Sequence, residues 1–280
     1  MKYRQERVVS GKGRGPHQFT TALRGVVVDA QDRLFVVGDS EVKIFDSKGK
    51  LSSHWPTNQR GLSLAVDEER VYVGEEGQLE IFSRSGELLD TWRDPQKLGS
   101  VTAIGLIADH VLVADAKDRC IRRFDRQGQF VNNIGKDNRM KGFNIPNGAV
   151  DFAVDRQGII HAANPGKHRV ERYTPDGEKL GYFGRWDHQN PQGFPGCCNP
   201  TNVTVDAGGL VYVTEKAGPR AKVYDAAGEL LAVIASDVFD PNCKNMDLAV
   251  DSEGRVYVVD TIRLQIHVFE PDDDDSGGGQ

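Results

Sequence analysis

Residues 247–270 read DLAVDSEGRVYVVDTIRLQIHVFE. A short apolar run ends in Asp251, a turn containing Gly254 comes next, a second apolar run ends in Asp260, and a third begins near Gln265. Short alternating runs separated by turn residues are antiparallel strands in a meander, because strand side chains alternate between the two faces of a sheet. The same phrase recurs along the chain. It appears as GVVVDAQDRLFVVGDSEVKIFDSKGKLSSHW from Gly25, SLAVDEERVYVGEEGQLEIFSRSGELLDTW from Ser63, DFAVDRQGIIHAANPGKHRVERYTPDGEKLGYFG from Asp151 and NVTVDAGGLVYVTEKAGPRAKVYDAAGELLAVIA from Asn202. A further copy from Ala103 has lost its first aspartate but keeps the later strands and turns of the unit.

Asp29, Asp67, Asp155, Asp206 and Asp251 mark the turn after the first strand, and the degenerate copy fills the one gap, so six copies cover nearly the whole chain. Six such units predict an all-β fold: a six-bladed β-propeller of four-stranded blades. The sixth copy lacks its own fourth strand after Glu270, whereas residues 4–9 have the form of one with no partner nearby. The N-terminal strand is therefore expected to complete the last blade and close the ring. Residues 1–271 form the expected single domain, and 272–280, an acidic run followed by glycines, the expected disordered tail.

The 280 residues carry a formal net charge of −6, which argues against a mainly electrostatic nucleic-acid binder. No apolar run approaches a membrane span, and the N-terminus shows no apolar leader segment. Four cysteines do not make a disulfide scaffold. The compartment stays open between an exported, periplasmic setting and the cytoplasm.

The phrases GKGRGPHQF, GVVVD, LFVVGD and VKIFDSKGK resemble the NHL repeat over about residues 4–270. The resemblance implies a six-bladed propeller. It leaves function open among peptide, protein and RNA platforms and a few enzymes. The segment CCNPTN, residues 197–202, with TEKAGPRAKVYD and DLAVD after it, is also similar to a set of bacterial NHL proteins. That likeness implies an export- or redox-related setting.

Repeat register converts these positions into candidate sites. Eight residues before the marker aspartate stand Cys198 and Cys243 in adjacent copies, with Cys197 next to the first. Four residues before the marker stand Gly25, Ser63, Asp151, Asn202 and Asp247, with Ala103 expected in the degenerate copy. Second strands end in Glu75, Asp115, Asn164, Glu215 and Asp260. One face of the ring is thus expected to carry thiols and oxygen ligands together.

Thiolates suit soft or borderline metals and iron–sulfur or copper-type redox centres, and carboxylates and amides suit harder cations. Cys197, Cys198, Cys243, Asp151, Asn202 and Asp247 form the expected metal or redox centre at the channel mouth, with Glu215 and Arg220 as cofactor-binding neighbours. A redox partner protein or a small ligand would approach there. A disulfide from Cys243 to Cys198 or Cys197 is the alternative use of the thiols. A bond between Cys197 and Cys198 is disfavoured because it closes a strained ring, and packing beneath the loop is the structural reading. Cys120 is read as a structural thiol. His188, in the loop before the cysteines, is the one histidine expected within reach of the pocket, flanked by Trp186 and Phe194.

Three functions are compatible with this pattern: a redox or metal centre on a propeller, a non-catalytic protein- or peptide-binding platform, and a cation-dependent hydrolase or lyase using the Asp/Asn ring.

Overall fold

The computed structural model describes residues 1–136, 141–216 and 218–272. Residues 273–280, nearly all of the expected tail, lie outside the described residues. The first strand, β1 (Tyr3–Val9), stands apart from its neighbours in sequence. Blade 1 comprises β2 (Gly25–Val28), β3 (Leu34–Gly38), β4 (Glu41–Phe45) and β5 (Leu51–Pro56). Blade 2 comprises β6 (Ser63–Val66), β7 (Arg70–Gly74), β8 (Gln78–Ser83) and β9 (Leu88–Arg93). Blade 3 continues with β10 (Val101–Ile107), β11 (His110–Asp115), β12 (Cys120–Asp125) and β13 (Phe130–Ile134). Blade 4 is β14 (Phe152–Val154), β15 (Ile160–Asn164), β16 (Arg169–Tyr173) and β17 (Lys179–Phe183). Blade 5 is β18 (Asn202–Val205), β19 (Val211–Glu215), β20 (Arg220–Tyr224) and β21 (Leu230–Ser236). Blade 6 contributes β22 (Leu248–Val250), β23 (Val256–Asp260) and β24 (Gln265–Pro271).

Strand β1 pairs antiparallel with β24, with Val9 opposite Ile266 and Tyr3 opposite Pro271, so the ring closes as the repeat predicts. All six sheets are antiparallel and four-stranded. Ion pairing of Arg4 with Glu270 at 2.8 Å adds a surface contact to that seam.

Each blade buries both faces against its two neighbours, so the core divides into six clusters, one per interface. Phe35, Val37 and Trp55 of blade 1 pack with Leu64, Val71 and Phe82 of blade 2. Val26, Val36 and Phe45 pack with Tyr257, Val259 and Ile266 across the closing interface. This explains why the second strands are apolar on both faces (LFVVG and VYVVD are buried throughout) rather than alternating.

The marker aspartates are structural. Asp206 Oδ1 accepts from Gly208 N and Leu210 N at 2.8 and 2.9 Å, and its Oδ2 accepts from the Tyr212 hydroxyl at 3.0 Å. Asp251 repeats the arrangement with Glu253 N, Arg255 N and the Tyr257 hydroxyl. In blade 4 His161 stands in place of the tyrosine, 2.9 Å from Asp155. The carboxylate folds the turn onto itself, and the second-strand side chain locks it there.

Candidate channel-mouth site

The four-before-marker positions line the central channel, and most of them tie neighbouring blades together. Ser63 Oγ donates to Val101 O at 2.7 Å, linking blade 2 to the strand of blade 3. Thr102 Oγ1 donates to Val150 O at 2.7 Å, linking blade 3 toward blade 4. Val203 N donates to Asp151 Oδ2 at 2.7 Å, linking blade 4 to blade 5. Val26 N donates to Asp247 Oδ2 at 2.8 Å, across the closing interface. Ala103 was the residue expected at this level in blade 3. The register slips between Val101 and Ala103, so the intervening Thr102 supplies the hydroxyl instead.

Asn202 differs from the rest of this ring. The blade 5 to blade 6 link is made by Thr214, whose hydroxyl donates to Met246 O at 2.7 Å, so Asn202 is released from that task. Its amide lies between the two carboxylates and hydrogen-bonds to both Asp151 and Asp247. Asn202 is 6% exposed, and its Oδ1 is buried without a hydrogen-bond partner.

Burial pushes both carboxyls up. Asp247 rises to about 7, chiefly because burial penalises its charged form. Asp151 is raised well above the carboxylate range by burial first and by the negative charge of Asp247 second. Near neutral pH the pair therefore retains proton.

Two cavities meet at this cluster. One of about 230 Å³ runs down the channel between the inner strands, and one of about 200 Å³ forms the mouth. Asp247 and Thr102 line both, so the cluster stands where one opens toward the other. Arg24, Glu76, Ser100, Asn202 and Asn245 line the mouth. Asn147 reaches across it, donating from Nδ2 to Asn245 Oδ1 at 2.5 Å. Burial and the neighbouring Arg60 guanidinium lower Arg24, which makes no ion pair among the described residues.

The other expected ligands are divided among separate places. Cys243 is buried at the interface of blades 5 and 6 among Phe239, Met246 and Tyr212, and its Sγ lies 3.2 Å from Asp260 Oδ1. Burial and that carboxylate push its thiol up to about 11. Cys198 is buried elsewhere, with its Sγ 2.6 Å from that of Cys197. Cys197 is exposed. The sulfurs brought together are thus those of the neighbours Cys197 and Cys198, the pairing that chain geometry disfavours. Among the described residues, no group of three or more His, Cys, Asp or Glu side chains is placed to hold a metal ion. Cys198 and Cys243, matched by repeat register, have different neighbours: Cys197 beside the first and Asp260 beside the second.

Glu215 and Arg220 are occupied by structure. Glu215 is fully buried, with Arg220 Nε and Lys222 Nζ each at 2.5 Å from its oxygens. Lys222, absent from the residues expected at the site, also donates to Pro191 O and Gly193 O at 2.7 Å, pinning the loop that precedes the cysteines. Lys43 holds Pro16 O in the same way in blade 1 at 2.7 Å, so the recurring third-strand lysine was the available signal. Second-strand acids likewise hold loops: Asp260 accepts from Asp240, Ile262 and Arg263 N–H groups. Cys120 is fully buried, as a structural thiol would be. His188 is exposed and its ring lies tilted against that of Trp186, with centroids 5.2 Å apart.

No protein-family model matches the chain, and no curated protein does. Similarity to solved structures is extensive. A protein of unknown function from Bacteroides thetaiotaomicron is 15% identical with a TM-score of 0.70, over 96% of this chain and 76% of that one. Virginiamycin B lyase from Staphylococcus aureus is 10% identical with a TM-score of 0.63, over 97% of this chain and 100% of that one. A streptogramin B lyase is 10% identical with a TM-score of 0.60, over 89% and 93% respectively. At these identities the likeness shows the propeller fold alone. The NHL resemblance rests on the sequence pattern, and the fold it implies is the fold observed.

Proposed function

We propose that the protein is a channel-mouth acid–base enzyme of the lyase or hydrolase class, acting on a small organic anion. The observation that carries this reading is the Asp151–Asn202–Asp247 cluster: two buried carboxyls that retain proton near neutral pH, lining cavities and flanking an unpartnered amide oxygen. A group that titrates near the working pH is suited to proton transfer in either direction. Asp247 lines the mouth and is the proton-transfer group. Asp151, itself raised by burial and by the negative charge of Asp247, shares the Asn202 amide with Asp247 and is a positioning residue. Asn202 offers Oδ1 to a donor on the ligand. Arg24, with Arg60 beside it, supplies positive charge for the ligand's anionic end.

The mouth volume of about 200 Å³ suits a compact ligand or one end of a larger one. Two solved structures of similar fold are named as lyases, which is compatible with this reading. Cation-dependent chemistry at the same cluster fits less well. Magnesium or calcium takes about six or more oxygens, whereas each of these carboxylates already accepts a backbone N–H.

The test is a panel of small lactones, esters and β-substituted carboxylates, assayed for turnover and binding. Turnover of a panel member should be lost in Asp247→Asn while binding persists. Arg24→Ala should weaken binding about tenfold or more, as expected for a lost charge-assisted contact. Folded Asp247→Asn and Arg24→Ala proteins that bind and turn over like wild type would overturn the proposal. So would a panel in which no compound binds in the mouth.

A further inference from the structure

Outside that cluster, the loop leading into blade 5 holds an arrangement the acid–base reading leaves unused. Cys197 and Cys198 present their sulfurs to each other at 2.6 Å, one thiol exposed and its neighbour 1% exposed. The loop is clamped by a single side chain. Asn199 Nδ2 donates to Pro195 O at 2.7 Å, and Lys216 N donates to Asn199 Oδ1 at 2.9 Å. That second bond fixes the backbone of Lys216, whose ammonium acts on both sulfurs. Lys222 holds the preceding segment at Pro191 O and Gly193 O. Gly196 turns the chain at φ +79° immediately before the pair, a conformation suited to glycine. The thiols are therefore held facing each other by a built loop and not by chance exposure.

We infer that Cys197 and Cys198 form a reversible two-electron thiol–disulfide site that exchanges with low-molecular-weight disulfides. Exposed Cys197 is the attacking thiol and buried Cys198 the resolving thiol. The Cys197 thiolate attacks one sulfur of the disulfide RSSR. The RS–SR bond breaks, one RS⁻ leaves and takes a proton from water, and Cys197 carries the mixed disulfide. Cys198 then loses its proton to solvent and attacks the Cys197 sulfur, releasing the second RS⁻. The two cysteines are oxidised to a disulfide, and RSSR is reduced to two RSH.

The two thiols suit these roles. Hydrogen bonding from Cys198 first, and the Lys216 charge in addition, lower Cys197, while burial raises Cys198. Reversibility follows from chain geometry. Neighbouring Cα atoms are about 3.8 Å apart across a trans peptide, shorter than the span of about 4.4–6.8 Å that disulfides prefer. A bond closed under that constraint is readily reduced, which favours exchange over permanent cross-linking.

The experiment is treatment of the reduced, full-length protein with glutathione disulfide, followed by alkylation, trypsin and mass measurement. Residues 186–216 contain no internal Lys or Arg and hold only these two cysteines, so one peptide reports the site. In wild type it should lose two hydrogen atoms, retain no glutathione, and return to the dithiol with dithiothreitol. Cys198→Ser should stop at a stable glutathione adduct on Cys197, and Cys197→Ser should react far more slowly. The inference is overturned if the wild-type peptide stays reduced or keeps a glutathione adduct. A bond to Cys120 or Cys243 would overturn it equally. The wild-type measurement decides even if a variant fails to fold.

Discussion

Replacing Asp247 with asparagine should stabilise the protein at alkaline pH while leaving it nearly unchanged near pH 4. Asp247 titrates at about 7 in the folded protein against an ordinary 3.8. Its folded-state pKa is raised, so between these values the folded state binds more proton than the unfolded state. Stability then falls as pH rises through that window and levels off above it. At 1.36 kcal/mol per unit, the full difference corresponds to about 4 kcal/mol, an upper figure because Asp151 shares the titration. Asp247→Asn removes the ionisation yet keeps an acceptor for Val26 N.

Denaturant unfolding of both proteins at pH 4 and pH 8 measures the effect, read as the difference between them so that other titrating groups cancel. The expected result is near equality at pH 4 and an advantage for the variant of about 2–4 kcal/mol at pH 8. A variant that is less stable at both values, or a difference that does not change with pH, would refute the reasoning. Asp247 would then be an ordinary ionised link between blades.

Three further outcomes are expected from the packing. Lys222→Met should cost about 3–5 kcal/mol, because it removes one partner of fully buried Glu215 and frees two loop carbonyls; urea unfolding measures it, and adding Glu215→Gln should recover part of the loss. Native-state alkylation near pH 8 should label Cys197 and spare Cys120 and Cys243, both buried and pushed up to about 11, with peptide masses giving the order. Deleting residues 1–9 should leave β24 as an open apolar edge, giving association by size-exclusion chromatography together with a large loss of stability.

The architecture was legible because one physical pattern repeats. Alternation gave strands, the Asp-containing turns gave their ends, and an unpartnered N-terminal run gave the closure that β1 makes with β24. Part of the site was legible in the same way: Asp151, Asn202 and Asp247 do face one another through shared hydrogen bonds. The direction of each side chain was not carried by register. Cys198 and Cys243 are equivalent in sequence, yet one meets Cys197 and Lys216 while the other meets Asp260. Glu215 and Arg220 looked free because their third partner, Lys222, is a strand residue whose burial no local pattern announces. A single-residue slip moved the blade 3 hydroxyl from the expected Ala103 to Thr102.

The seam between β1 and β24 has a consequence for biosynthesis. Residues 3–9 leave the ribosome before the blades that follow them and find their partner only when residues 265–271 emerge, so β1 waits while blades 1 to 5 are made. Blades 1 to 5 each pair strands consecutive in sequence, whereas ring closure is the most distant pairing in the chain. During that interval β1 is an unpaired β-segment on a nascent chain, and its sequence suits the wait. YRQERVV places charges or amides at Arg4, Gln5, Glu6 and Arg7, most of them still solvent-facing in the finished ring. Those side chains discourage pairing with a neighbouring polysome's identical strand without weakening the final match, because the apolar Val9 that anchors it enters the core only at closure.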